Sequence, residues 1–118
     1  VITMRLQPTP IQRQALSDFL FADLGTIYFK CPGCDIHHGV QVVGTTEPVW
    51  LWDNDVNTPT ITPSIRVRSY NEKGETVCHL YVTKGKLQFL NDCTHELKGQ
   101  TVDMIPMTLG KTVPADQT

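Results

Sequence analysis

The sequence predicts a mainly β fold with one N-terminal helix, an α+β chain built on a small antiparallel sheet or a partly open barrel or sandwich stapled by a zinc knuckle. Three observations predict it. From Thr26 to Ile105, short runs of β-branched and aromatic residues alternate with turn formers. Residues 9–24 carry apolar side chains at helical spacing between a proline and a glycine. The four cysteines fall as one Cys-x-x-Cys pair and two single cysteines, each beside a histidine. With 118 residues the chain is read as one zinc-binding domain, 1–118: a helix over 9–24, a β core over 26–105 and a loose tail over 106–118.

The helix starts where Thr9 can cap and Pro10 fits the first turn. Ile11, Ala15, Phe19 and Ala22 then share a face, and Gly25 stands where a helix would stop. The strands expected after it are 26–30, 40–43, 49–52, 64–70, 76–82, 86–90 and 100–105. Pro32-Gly33, Gly44, the 54–59 loop, Asn71–Gly74 and Lys84-Gly85 separate them. The tail beyond Pro106 has few apolar anchors.

The best-specified unit is the hairpin around Lys84-Gly85. A two-residue turn there sets Val82 opposite Leu87 and Leu80 opposite Phe89. Alternation along the strand then puts Cys78, Leu80, Val82, Leu87 and Phe89 on the core face. Cys93 shares their parity if the strand continues. His79 and Tyr81 point the other way, with Gln88, Leu90 and Asp92.

Cys31-Pro-Gly-Cys34 is a knuckle whose tight turn can aim two sulfurs at one centre. Zinc takes about four donors, sulfur and nitrogen preferred. The parity of Cys78 and Cys93 completes a four-cysteine site of Cys31, Cys34, Cys78 and Cys93, with His79, His95 and His38 as alternates. No secretion signal is expected, so disulfides are disfavoured and metal ligation is favoured.

The middle block, Val49 to Val67, sets Trp50 and Trp52 on one face, followed by Asp53, Asn54 and Asp55. Trp50 reads as a core residue, whereas Trp52, Asp53 and Asn54 form a candidate ligand groove. Pro59 and Pro63 exclude a central, fully laddered strand, so this block lies at an edge or crosses the sheet.

The knuckle, Trp50, Pro59-Thr60, Thr62-Pro63-Ser64, Cys78-His79, Gly85, Phe89-Leu90 and Asp92-Cys93-x-His95 resemble the motifs of a family of small phage and prophage proteins. Its members often carry the label ammonia monooxygenase without support for that activity. The likeness covers roughly residues 27–105, with Leu80-Tyr81 where Ser-Phe is usual. It implies a metal-binding accessory protein of viral origin and supplies no reaction. More distant relatives accompany ubiquitin-like conjugation genes in bacteria, and no function is taken from that association.

Net charge is −2, with no basic block, which argues against a nucleic-acid partner. No apolar run is long enough to cross a bilayer. The expected function is that of a zinc-stapled phage accessory or virion protein, in the host cytoplasm or the virion, binding a protein partner. The alternative is a zinc-dependent hydrolase with His79, Asp92 and His95 as acid–base groups near the metal. A weaker third reading is a thiol redox protein using Cys31 and Cys34.

Overall fold

A computed structural model describes residues 14–107. Among them it shows nine strands and no helix. The first sheet runs in chain order through β1 (Gln14–Ala15), β2 (Phe21–Asp23), β3 (Thr26–Cys31) and β4 (Ile36–Gln41). The second does the same through β5 (Leu51–Trp52), β6 (Ile61–Asn71), β7 (Gly74–Thr83), β8 (Lys86–Phe89) and β9 (Thr101–Asp103). Every pairing is antiparallel. Over the described residues the fold is therefore all-β, and the mixed class with an N-terminal helix is corrected.

The helix expected over 9–24 fails for a local reason. Its first residues, 9–13, lie outside the described part. Over the rest, Gln14–Ala15 pairs with Phe21–Ala22 as a hairpin. Ser17 turns the chain: its Oγ accepts from the N–H groups of Phe19 and Leu20. Leu24 and Gly25, both at positive φ, then form the tight turn from β2 into β3. Gly25 thus closes a hairpin rather than a helix. A short apolar segment fits either period. Here Leu20 and Phe21 bury their side chains, and pairing with β3 decides the outcome.

The two sheets share one core. Alternation buries Ile27, Phe29 and Cys31 on β3, and Cys78, Leu80 and Val82 on β7, while their neighbours face outward. Leu87 and Phe89 join from β8 through the expected register, Val82 opposite Leu87 and Leu80 opposite Phe89. Lys84 and Gly85 both take positive φ at that turn, as a two-residue hairpin requires. Leu80 is 0% exposed at the centre of this core. Replacing it by Ala is expected to lower unfolding free energy by about 2–5 kcal/mol, read as a lower urea midpoint with an unchanged slope.

β6 carries the irregularity that matters for the site. Ile61 pairs with Val82 and Ile65 with Leu80, so four steps on β6 match two on β7. The extra residues are taken up around cis Thr62-Pro63. A bulge of this kind re-aims side chains and interrupts pairing.

Candidate functional site

Alternation on β7 splits two adjacent residues between the two sides of the second sheet. Cys78 faces the core and is 1% exposed. His79 faces outward, directly across from Arg66 on β6. The segment after β8 divides in the same way and meets them on both sides.

On the outward side, Ser64 Oγ lies 3.1 Å from His79 Nε2. His79 Nδ1 lies 3.0 and 3.2 Å from the two carboxylate oxygens of Asp92. Ser64 reaches His79 because it closes the irregular segment between Ile61 and Ile65, just before Arg66 pairs opposite His79. Asp92 reaches it because the ladder ends at Phe89 and the chain turns back: Leu90 N–H donates to the His79 carbonyl at 2.9 Å. Cys93 secures that turn, its sulfur 3.2 Å from both the N–H and the carbonyl oxygen of His79. The hydroxyl, imidazole and carboxylate thus form one hydrogen-bonded chain. This constellation activates a serine for acyl transfer, and it is recognised by geometry and roles, not by order along the sequence.

On the core side, one sulfur each from Cys31, Cys34 and Cys78 and a ring nitrogen of His95 lie within 4.8 Å of one another and could hold a metal ion. Cys31 Sγ and Cys78 Sγ are 3.8 Å apart, and Cys78 Sγ is 3.4 Å from His95 Nε2. Tetrahedral arms of about 2.3 Å to sulfur and about 2.0 Å to nitrogen give edges of about 3.8 and 3.5 Å. The donors therefore fit such an ion, and all four cysteines are free thiols. The Cys34 N–H points at Cys31 Sγ, 3.4 Å away, as the knuckle turn requires. His95 packs edge-on against Phe89 and sets Nε2 3.4 Å from Cys78 Sγ; with Leu97 N–H donating to Nδ1 the ring proton lies on Nε2, and ligation there would require that proton to leave.

The thiols are unequal. Cys31 is held down to about 4, mainly by the Cys78 thiol beside it, with burial opposing and His38 and the Cys34 N–H assisting. Burial, then the charge on Cys31, pushes Cys34 up to about 11. Cys78 is driven far up because it shares its proton with Cys31, and burial adds to this. Three adjacent thiolates repel one another unless a cation lies between them.

Gly33 gives the knuckle its closeness to His95. A Cβ there would fall 2.3–2.5 Å from the imidazole ring atoms. Gly33→Ala is therefore expected to displace His95 and weaken metal retention by at least about tenfold, measured by competition with a chromogenic chelator.

Cys93, which strand parity set among the ligands, is outside the four-donor group because the chain leaves the ladder before reaching it. His95 takes that place. His38 lies beside Cys31 and edge-on to Phe29, outside the donor group. His79 and Asp92 come together, whereas His95 belongs to the other cluster. Ser64 was missed as a functional residue. It reaches His79 diagonally, through the register that sets Arg66 opposite His79 beyond the irregularity between Ile61 and Ile65, which strand propensity does not mark.

Of the expected groove, Trp52 and Asn54 line one cavity of about 210 Å³ together with Trp50 and Leu51, and Asp53 is not among its lining residues. Trp52 Nε1 donates to the Asp55 carbonyl at 3.2 Å, and Asp53 Oδ1 accepts from the Asp55 and Thr60 N–H groups. Asn54 takes positive φ in the same loop. Trp50 is half-buried and its Nε1 donates to the Ser64 carbonyl at 3.2 Å, bracing the serine from behind.

Against known proteins, no curated protein and no solved structure matches. A family model does: BubE, bacterial ubiquitination-like system serine protease, matches residues 6–90. This overturns the expected protein-binding phage or virion module, because the match indicates a hydrolase of a ubiquitination-like system.

Proposed function

The chain belongs to the BubE family of bacterial ubiquitination-like system serine proteases, and on that premise we propose that it hydrolyses amide bonds with Ser64 as nucleophile. His79 is the general base and Asp92 holds the imidazole. The observation that carries this is the continuous chain from Ser64 Oγ to His79 Nε2 and from His79 Nδ1 to Asp92, at 3.1 and 3.0 Å. Asp92 accepts a hydrogen bond from Nδ1–H, which keeps the ring proton there and leaves Nε2 free to take the proton of Ser64 as Oγ attacks the carbonyl carbon. The imidazolium, steadied by Asp92, returns that proton to the departing amine. Water then repeats the sequence and releases the acid. The substrate is a peptide or isopeptide bond in a protein handled by such a system.

In the same reading the four-donor cluster holds zinc, favoured by three sulfurs and one nitrogen. With four protein donors it supplies cohesion and no step of the reaction. It ties Cys78 and His95, the neighbours of His79 and Asp92, into one unit.

A fluorophosphonate probe tests the nucleophile. We expect one covalent adduct, mapped by mass spectrometry to Ser64 and absent from Ser64→Ala. Folded protein without an adduct, or an adduct that persists in the variant, overturns the assignment. For the metal, X-ray absorption on the purified protein is expected to count three sulfurs and one nitrogen. A four-sulfur shell would return Cys93 to the site.

A further inference from the structure

The nucleophile stands at the end of an uncovered strand edge. Among the described residues, β5 pairs with β6 only at Thr62 and Ile61, so β6 has no strand partner on that side from Ser64 onward. The direction of its backbone groups follows from three bonds. The carbonyls of His79 and Val77 accept from Leu90 and Thr94 N–H, on the side of β7 away from β6. In an antiparallel ladder, opposite residues either exchange both bonds or neither. Arg66, opposite His79, and Arg68, opposite Val77, therefore aim N–H and C=O at the open edge, and Tyr70 follows by alternation. The Ser64 carbonyl points to that side as well, where it receives the Trp50 indole N–H.

An uncovered edge is a template for another strand, and natural proteins usually blunt it. This edge is long, and its side chains are placed to read a partner. Arg66 is exposed beside His79, and no partner for its guanidinium is found among the described residues; Arg68 is paired with Glu75. The Trp50 indole closes the edge at Ser64. A strand running along Tyr70, Arg68 and Arg66 must therefore leave the plane of the sheet at Ser64, toward the face that carries its hydroxyl.

We propose that the substrate docks as an extended strand on the free edge of β6, pairing its backbone with Arg66, Arg68 and Tyr70 and offering an acidic side chain to Arg66, which delivers its scissile carbonyl to Ser64. The inference rests on the serine protease reading, and the two are tested separately. The edge predicts a substrate read chiefly through its backbone, as in β-strand addition.

The test uses the full chain and a degenerate 14-residue peptide library read by mass spectrometry. Cleaved peptides are expected to be enriched in Asp or Glu at one fixed distance from the cut, and Arg66→Glu should invert that preference to Lys or Arg. In the best peptide, N-methylation should slow cleavage about tenfold or more at alternate positions only, because every second amide faces β6. Arg68→Pro removes an outward N–H that the sheet does not use, so the fold should survive. It is expected to cut kcat/KM for that peptide about tenfold while fluorophosphonate labelling of Ser64 stays within twofold. Labelled Ser64 with no library peptide cleaved, N-methyl effects without alternation, or full peptide activity in Arg68→Pro each overturns the edge. So does a dimer of the wild-type chain that Arg68→Pro dissociates without loss of peptide cleavage. Absence of Ser64 labelling in the wild type strikes the serine protease reading instead.

Discussion

Asp92→Asn is expected to slow fluorophosphonate labelling and substrate turnover by about 10³–10⁴-fold while leaving the fold and the bound metal intact. The cause is the tautomer of His79. Asp92 can only accept, so it holds the proton on Nδ1, 3.0 Å away, and leaves Nε2 bare toward Ser64. An Asn amide in the same place can donate to Nδ1, which moves the ring proton to Nε2. The ring then faces Ser64 with a proton and cannot remove another. Half of the Asp92 side chain is in water, at 46% exposure, so the loss should fall toward the lower end of that range. Ser64→Ala should go further, to about 10⁴–10⁶-fold in turnover, because the attacking atom is gone. Measuring both variants beside their thermal midpoints separates chemistry from folding. Equal rates in Asp92→Asn and the wild type would remove Asp92 from the mechanism.

The second large effect concerns the metal. Cys78→Ser is expected to abolish zinc binding and leave the chain largely unfolded, seen as zero bound zinc and loss of the near-ultraviolet circular dichroism of its tryptophans. A zinc site in a small domain contributes on the order of 10 kcal/mol, as much as the whole stability of a typical domain. Cys78 is the donor with the most to lose, since it touches both Cys31 and His95 from the centre of the core strand. Cys93→Ser is the contrasting variant. Its sulfur contacts the His79 backbone and not the donor group, so it should keep one zinc and its fold. If Cys93→Ser loses the metal and Cys78→Ser keeps it, the donor set is wrong. Chelation of the wild type should abolish Ser64 labelling as well, although no ligand touches the substrate. Thr94 and His95 hold the turn that carries Asp92, through Val77 and the cluster respectively. Releasing His95 removes one anchor of that turn, beside the bonds that Leu90, Cys93 and Thr94 make to β7.

Short-range chemistry alone determined several features of this protein. Lys84-Gly85 determined the hairpin and hence its register, because two consecutive positive φ values fit few other structures. That register made Cys78, Leu80 and Val82 a buried row and turned His79 outward with Asp92. The knuckle was legible because proline and glycine between two cysteines leave little choice of turn. Only the tertiary structure decided the rest. Gln14–Ala15 and Phe21–Asp23 became strands because β3 offered a pairing partner, which no local period can reveal. His95, an expected alternate, stands in the donor group and Cys93 does not, because the ladder ends at Phe89 and parity has no meaning once a chain leaves its strand. Ser64 meets His79, fifteen residues away in sequence, only because the bulge near Pro63 sets it there. Alternation and turn propensity act over a few residues and are written in the text of the chain. The meeting of a hydroxyl, an imidazole and a carboxylate from three separate segments depends on how the strands pair, and pairing is a property of the folded whole.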